Sequence, residues 1–260
     1  MLLAIDVGNT QTVVGLYGDG EDSRVLLDHW RIATNAERTS DEHALLFQEF
    51  LSFAGRDWTR DVRGVAISSG VPMVTYELRR MCQRYLRLEP VVLGAGVKTG
   101  MSVLYDNPRE VGADRIANAV GAHDLYGGPT IVVDFGTATT FDVISAGGEY
   151  LGGAIVPGIE VSLDALFGRA AALRRVELVE PRSVVGKTTV ESIQSGTIYG
   201  YSALVDGMCE RIEADVVGDA TVIATGGLAD LIAPVSEAIE HVEPWLTLHG
   251  LRLIWEKNAT

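Results

Sequence analysis

Two segments of the chain, one at its start and one near its middle, share a pattern. They cover residues 5–13 (IDVGNTQTV) and 133–141 (VDFGTATTF), and so begin 128 residues apart in a chain of 260. Each consists of an apolar strand, an Asp-x-Gly turn, a Thr-rich tip and a second apolar strand. An internal repeat of this size predicts two lobes of similar build.

Helical and strand patterns alternate along the rest of the chain, which is typical of an α/β protein. Short runs that predict buried strands are residues 65–67, 91–93 and 222–224. The alternating leucines of residues 246–253 predict edge strands. Since no low-complexity linker separates the halves, we expect an N-terminal lobe at 1–115 and a C-terminal lobe at 116–260.

The charge balance limits the partners of this chain. It has 21 Lys and Arg against 35 Asp and Glu, a formal net charge of −14, so we expect no nucleic-acid partner. Backbone N–H groups and Mg²⁺ can still hold a small phosphate in an acidic protein. Cys82 and Cys209 have no metal-ligand spacing, and no apolar run is long enough for a membrane span. Without a signal-peptide pattern, we expect a cytoplasmic protein with no membrane partner.

The first Asp-x-Gly turn has the residue types of a phosphate-binding loop. Gly8 lets an anion approach the backbone, and the side chains that can donate at the tip are Asn9, Thr10 and Thr12. Asp6, at the end of the strand, suits a water molecule bound to Mg²⁺. A plain hairpin with polar turn residues explains one such turn as well, and that alternative stays open for the turn taken alone.

A second turn of the same kind favours the functional interpretation. Asp134, Gly136 and Thr137 repeat the arrangement, and two such turns can hold a polyphosphate from both sides. A third element, Gly226 and Gly227 after a buried strand, would let a base or ribose lie against the backbone. Taken alone, that glycine pair is better explained as an ordinary turn.

The stretch before residue 114 predicts a helix with a carboxylate near its start. Asn107 fits the N-cap, Pro108 the first helical position and Glu110 the third, which completes a capping box. Asp114 would then lie in the second turn among small and apolar residues, where partial desolvation raises its proton affinity toward that of a general base. A surface ion pair between Asp114 and Arg115 explains the same residues equally well.

Together these motifs resemble those of the type III pantothenate kinases, in the acetate kinase–sugar kinase–heat-shock–actin superfamily. The matching segments keep the family's order and span nearly the whole chain: residues 6–10, 106–115, 134–139, 152–158, 187–189, 194–196 and 225–227. The resemblance implies an α/β fold of two duplicated actin/ribonuclease-H-like lobes, with mixed sheets flanked by helices and a nucleotide cleft between them. It also implies a homodimer with the substrate pocket near the subunit interface.

The resemblance further implies transfer of the γ-phosphoryl group of ATP to pantothenate, the first step of coenzyme A synthesis. Asp114 matches the general base. The positions that match ATP contacts are Asp6, Val7, Gly8, Asn9, Thr10, Gln11, Thr12, Val13, Thr137, Gly226 and Gly227. Those that match pantothenate contacts are Tyr105, Gly112, Ala113, Asp114, Arg115 and Thr189. Asp134 matches the ligand of a monovalent cation, K⁺ or NH₄⁺, and Asp6 lies near Mg²⁺.

Some alternatives stay open at this point. Residues 187–189 read Lys-Thr-Thr where the family often has Lys-Asn-Thr, so Thr188 is an alternative to Thr189 as the substrate contact. We hypothesise that Arg115 pairs with the pantothenate carboxylate. The competing functions are another small-molecule kinase or a phosphohydrolase on the same fold, and a non-catalytic regulatory accessory protein. Residues 107–115 and the intact set of Asp6, Asp114 and Asp134 favour the pantothenate kinase.

Overall fold

The computed structural model describes residues 1–170 and 173–259, which form two compact units. The first unit contains Met1–Met101, Asp106–Gly121 and the C-terminal helix, and the second contains Ser102–Tyr105 and Ala122–Trp245. The predicted division between residues 115 and 116 assumed one continuous segment per lobe. The units are discontinuous instead, because the C-terminal helix packs on the first sheet.

The first unit is built on a mixed five-stranded sheet. Its strands, in spatial order, are β3 (Leu26–Ala33), β2 (Gln11–Tyr17), β1 (Leu2–Val7), β4 (Gly64–Ser69) and β5 (Val91–Val92). Strand β2 is antiparallel to β1 and β3, whereas β4 is parallel to β1 and β5. The C-terminal ends of β1 and β4 therefore lie at the same edge of the sheet.

The second unit contains a sheet of the same topology. In spatial order its strands are β8 (Tyr150–Pro157), β7 (Ala138–Ile144), β6 (Thr130–Phe135), β9 (Thr221–Gly226) and β10 (His241–Val242). The parallel and antiparallel pairs recur in the same places, and so does an irregularity in register, at Leu16/Tyr17 in one sheet and Val143/Ile144 in the other. The predicted duplication and fold class are confirmed.

The two repeats differ by one residue in the turn between their first two strands. Strand β6 starts 128 residues after β1, but β7 starts only 127 residues after β2. Val7 pairs with Thr12, and Phe135 pairs with Thr139, so Thr139 is the structural counterpart of Thr12. An ungapped alignment of the two segments would assign that position to Thr140. Because side chains alternate along a strand, the one-residue shift puts Thr139, and not Thr140, on the same face as its partner Phe135.

The helices that flank the two sheets are α1 (Ser40–Phe53), α2 (Trp58–Asp61), α3 (Pro72–Met81), α4 (Ala113–Tyr126), α5 (Ile159–Arg169), α6 (Thr189–Ile212), α7 (Ala229–Ile232) and α8 (Leu246–Asn258). In the first unit, α1, α2 and α3 pack on the face that carries Leu3, Ile5 and Val7. In the second unit, α5, α6 and α7 cover the corresponding face, which carries Ile131, Val133 and Phe135. In the described part of the chain, no helix combines the length and apolar character that crossing a membrane requires.

Helix α8 replaces the edge strands predicted for residues 246–253. It packs on β1, β2 and β4 on the face opposite α1, where Gly15 leaves room for Leu248 and Gly64 leaves room for Trp255. Its buried residues include Leu246, Leu248, Leu251 and Ile254. The alternating leucines also fit one face of a helix, and the sheet surface that they cover selects the helix.

Candidate active site

Hydrogen bonds turn the carbonyl groups of the loop after β1 toward protein donors. The Gly8 N–H donates to the Gln11 carbonyl (3.0 Å), and the Thr34 N–H donates to the Thr10 carbonyl (3.0 Å). Thr34 Oγ1 donates to the Gly8 carbonyl (2.7 Å). Asn9, Thr10 and Gln11 are exposed at the tip. With these carbonyl oxygens engaged, the loop can offer its N–H side to an anion, as a phosphate-binding turn must.

Asp6 is a half-buried carboxylate at the end of β1. In the ladders it pairs with Val13 of β2 and Ser68 of β4, so these three side chains share one face of the sheet. Asp6 comes two residues before Gly8, at the start of the turn whose tip is exposed. Asp6 is thus placed at the strand end, as the sequence predicts.

The hydroxyl of Thr12 does not lie at the tip of the turn, so that part of the prediction is wrong. Thr12 pairs with Val7 on the face opposite Asp6, and it is only 1% exposed. Its Oγ1 lies 2.9 Å from Thr34 Oγ1. The alternation of the strand turns the hydroxyl toward the core instead.

Asp134 is the counterpart of Asp6 in the second unit. It is half-buried in β6 and pairs with Thr140 and Thr225. Gly226, the last residue of β9, has φ +92°, and a Cβ there would overlap Asp134 Oδ1 and the Phe135 backbone. The site therefore requires glycine beside this carboxylate.

The second turn repeats the hydrogen bonds of the first. The Gly136 N–H donates to the Ala138 carbonyl (3.0 Å), and the Gly158 N–H donates to the Thr137 carbonyl (3.1 Å). A Cβ at Gly158 would overlap the carbonyl oxygens of Gly136 and Thr137, so the turn packs directly on this glycine. Thr137 is exposed, and Gly227 is exposed after β9.

The structure changes the predicted setting of Asp114. Pro108–Glu110 forms only a 3₁₀ turn capped by Asn107, and α4 begins later, at Ala113. Asp114 therefore lies in the first turn of the helix, and its side chain is exposed. The predicted desolvation of this carboxylate is wrong, because the small residues around it leave it open to solvent.

Asp114 is held in place by its neighbours. Its Oδ1 accepts the Arg115 N–H (2.8 Å) and occupies the space that a Cβ at Gly112 would fill. Arg115 itself is buried, with 8% exposure. The carboxylate is thus oriented by the backbone rather than by a surface ion pair of the kind considered from the sequence.

Tyr105 lies in the second unit, on a segment that is bonded to the start of β8. The Leu104 N–H donates to the Tyr150 carbonyl, and the Tyr150 N–H donates to the Ser102 carbonyl, both at 2.8 Å. The ring of Tyr105 lies against Gly152, where a Cβ would come within 3.5 Å of it. The aromatic side chain is therefore seated on the sheet but remains partly exposed.

The two threonines at the start of α6 have different roles in the structure. Thr188 is the N-cap, and its Oγ1 accepts the Glu191 N–H (3.1 Å). Thr189 is exposed and lines a cavity of about 450 Å³ in the second unit. The rest of this cavity is mainly apolar and includes Ile159, Leu163, Leu166, Ile193 and Tyr201. With the Thr188 hydroxyl engaged in capping, Thr189 is the better candidate for a ligand contact.

Glu191 fixes the loop that precedes these threonines. Its Oε2 accepts the Lys187 N–H (2.9 Å), and Arg182 Nε donates to Oε1 (2.8 Å). The Lys187 N–H, followed by the Arg182 guanidinium, holds the pKa of Glu191 below its usual value. The loop therefore stays anchored to the helix at neutral pH.

The two cysteines are buried and unreactive. Cys82 and Cys209 are free and buried, and burial raises the pKa of each thiol to about 12. Such thiols are poor nucleophiles at neutral pH. Across residues 1–170 and 173–259, no three His, Cys, Asp or Glu side chains gather into a metal-binding group.

Two residues that support the turns were not assigned roles from the sequence. Thr34 and Gly158 each come directly after the third strand of their sheet and donate an N–H to a turn carbonyl. Both are far along the chain from the turn that they support, so local motif spacing does not find them. Gly158 lies 124 residues after Thr34, whereas the repeat has an offset of 128, so an ungapped extension of the repeat does not align the two positions.

A family model and individual relatives both match this chain. The model of the type III pantothenate kinase family matches residues 2–211. A type III pantothenate kinase from Streptomyces avermitilis is 54% identical over 267 residues, which cover 100% of this chain and 99% of that relative. One from Moorella thermoacetica is 52% identical over 259 residues and all of both chains.

A solved structure shows the same fold at lower identity. The activator of 2-hydroxyisocaproyl-CoA dehydratase from Clostridium difficile, solved with bound ADPNP, superposes with a TM-score of 0.58. It is 13% identical and covers 99% of this chain and 95% of its own. At that identity the likeness concerns architecture alone.

Proposed function

The chain belongs to the type III pantothenate kinase family, and from this premise we propose that Asp114 is the general base of its reaction. The reaction is the ATP-dependent phosphorylation of pantothenate to 4′-phosphopantothenate, which begins coenzyme A biosynthesis. The observation that carries the proposal is the exposed carboxylate of Asp114 in the first turn of α4, oriented by the Arg115 N–H.

In the proposed step, Asp114 accepts the proton of the pantothenate hydroxyl as the hydroxyl oxygen attacks the γ-phosphorus. The bond from that phosphorus to the β,γ-bridging oxygen breaks, and ADP leaves with its electron pair. Oδ1 is engaged with the Arg115 N–H, so we assign the transferred proton to Oδ2. Phosphoryl transfer depends mainly on positioning and charge neutralisation, and a fixed base suits that requirement.

We assign the phosphate groups of ATP to the two turns. In the first, residues 6–13 contribute mainly backbone N–H groups, because the carbonyls of Gly8, Thr10 and Gln11 are engaged with the protein. In the second, Thr137 lies at the exposed tip, and Gly226 and Gly227, at the end of β9, have no side chains that would obstruct a nucleotide. This assignment rests on the duplicated geometry of the turns.

Asp6 and Asp134 are the carboxylates that we assign to cations. A single half-buried carboxylate at Asp6 suits Mg²⁺, which keeps several waters and takes phosphate oxygens as further ligands. Asp134 is likewise half-buried, one residue before the end of β6, and we assign its carboxylate to a monovalent cation, K⁺ or NH₄⁺. When bound, these cations supply positive charge that the acidic chain lacks and so neutralise the phosphates.

We assign pantothenate to the residues that match the family's substrate contacts. Arg115 would pair with its carboxylate by charge-assisted hydrogen bonds, with Gly112 and Ala113 beside it. Tyr105 and Thr189 are the further contacts that we propose. Tyr105 and Thr189 are both exposed, which supports this assignment.

We also propose that the enzyme is a cytoplasmic homodimer. The helices that line the 450 Å³ cavity expose Val161 and Leu166 on α5 and Val190 on α6, and such apolar surface is typical of an interface. The free buried cysteines suit a reducing compartment. Light scattering after size-exclusion chromatography would test the dimer, and a monomeric mass would contradict it.

The test of the general base is ADP release from MgATP with pantothenate. We expect Asp114→Asn to lose turnover by about 10²–10⁴-fold while it keeps its affinity for MgATP. Asp106→Asn is the matched control, since Asp106 is also exposed but has no assigned role. An Asp114→Asn enzyme with normal turnover would remove Asp114 from the mechanism.

The same assay tests the cation site when K⁺ is replaced by Na⁺ as the only monovalent cation. Turnover that requires K⁺ in the wild type, and is insensitive to it in Asp134→Asn, would support Asp134 as a ligand. Equal wild-type turnover in both salts would keep the kinase and remove this cation site.

A further inference from the structure

Two hydroxyl groups in series support the turn after β1. Thr34 Oγ1 donates its single hydrogen to the Gly8 carbonyl (2.7 Å), so Thr12 must donate in the 2.9 Å bond between the two threonine hydroxyls. The hydrogen bonds therefore run from Thr12 to Thr34 to Gly8. Thr12 is buried and Thr34 is half-buried, so the pair is shielded from water that would otherwise replace it.

We propose that Thr34 is a positioning residue for ATP, which holds the Gly8–Asn9 peptide in the orientation that binds phosphate. This inference rests on the proposed assignment of residues 6–13 to the phosphates. A trans peptide is planar, and its C=O and N–H point in opposite directions. Because Thr34 holds the Gly8 carbonyl on the protein side, the Asn9 N–H points toward the exposed tip.

Loss of the Thr34 hydroxyl would release this peptide. The Gly8 carbonyl would lose its donor, and glycine at position 8 offers little resistance to rotation of the peptide. A rotated peptide turns its oxygen toward the tip, where it repels a phosphate oxygen. Thr34 would thus affect nucleotide affinity although its own side chain faces the protein.

The second turn provides an internal comparison. Gly158 occupies the position of Thr34 and makes the same backbone bond to the turn, but it has no hydroxyl. Thr139, the counterpart of Thr12, is 0% exposed, and its Oγ1 has no hydrogen-bond partner among the described residues. The hydroxyl pair therefore exists only in the first turn, and removal of the Thr139 hydroxyl breaks no such bond.

The experiment measures the dissociation constant of MgATP by calorimetric titration of the full-length protein. We expect Thr34→Val to raise it roughly tenfold, equivalent to about 1.4 kcal/mol, since a nearly isosteric residue removes both hydroxyl contacts. Thr34→Ser keeps the hydroxyl and should restore affinity to within about twofold of the wild type. Thr139→Val is the matched control, with unchanged affinity. The KM for pantothenate should not change in any of these variants.

Unchanged MgATP affinity in folded Thr34→Val would overturn the inference, and so would an equal loss in Thr139→Val or no rescue by Thr34→Ser. If Thr34→Val does not fold, Thr12→Val takes its place. That variant should weaken MgATP binding by a few-fold, and unchanged binding would again overturn the inference. Protein that binds MgATP but does not phosphorylate pantothenate would contradict the proposed function instead, because the titration does not depend on turnover.

Discussion

His43 is a buried imidazole that should make the first unit sensitive to acid. Its side chain in α1 is 1% exposed, and neither ring nitrogen has a hydrogen-bond partner among the described residues. The pKa of His43 is lowered from its ordinary value of 6.5 to about 4, chiefly by burial and also by the Arg38 guanidinium. The carboxylates of Glu42 and Glu77 oppose this shift without cancelling it.

The sign of the effect is set by proton binding. Because the pKa is lower in the folded protein, the unfolded chain binds more protons between pH 6.5 and pH 4, and stability is lost as the pH falls through this window. At about 1.4 kcal/mol per pKa unit, the full loss is about 3 kcal/mol. Of this, about 2 kcal/mol is lost between pH 7 and pH 5.

His43→Leu is the matched perturbation, since it fills a similar volume and removes no hydrogen bond. We expect the free energy of unfolding in urea, followed by tryptophan fluorescence, to fall by about 2 kcal/mol more in the wild type than in His43→Leu when the pH drops from 7 to 5. His29→Gln, at an exposed histidine of β3, should behave as the wild type. Equal losses in the wild type and His43→Leu, or titration of His43 near its ordinary pKa by NMR, would refute the reasoning.

Three further predictions concern the site. Arg115→Ala should raise the KM for pantothenate by roughly 10–100-fold with little change for ATP, because a charge-assisted contact is lost; steady-state kinetics will show whether only one KM moves. Thr188→Val should cost about 1 kcal/mol of stability through the lost helix cap, whereas Thr189→Val should leave melting unchanged and weaken pantothenate binding. Gly226→Ala should destabilise by about 1–3 kcal/mol, because φ is +92° and its Cβ overlaps Asp134, and a normal melting temperature with normal K⁺ dependence would contradict this.

Local patterns predicted most of the sheet architecture. The repeat at residues 5–13 and 133–141 contains a strand, a turn and a second strand each time, so it indicated the duplication without any tertiary information. Helix α8 was missed because its leucines fit both a strand and a helix, and only the surface on which it packs decides between them. The predicted C-terminal lobe, residues 116–260, included α8, whereas in the structure this helix packs on the first sheet.

The positions of the proposed site residues in the fold were predictable where a residue belongs to one short motif. Asp6 and Asp134 lie one residue before the ends of their strands, close to the expected position, since each belongs to a strand–turn unit. The orientation of Thr12 was not predictable, because it depends on the register of β1 and β2. The exposure of Asp114 depends on where α4 begins. The sequence predicted a helix start at Asn107, but Asn107 caps only a short 3₁₀ turn, and α4 begins at Ala113.

The two turns share their backbone bonds but differ in the element that comes after the third strand. After β8, Gly158 is the N-cap of α5, so the positive end of that helix lies directly at the turn of Gly136 and Thr137. After β3, Thr34 leads into a loop, and α1 begins only at Ser40. Negative charge at the second turn is therefore favoured by a helix dipole, whereas no helix begins directly after β3 to do the same at the first turn. We therefore expect an anion at the first turn to depend more on a divalent cation, in line with the proposed assignment of Mg²⁺ to Asp6.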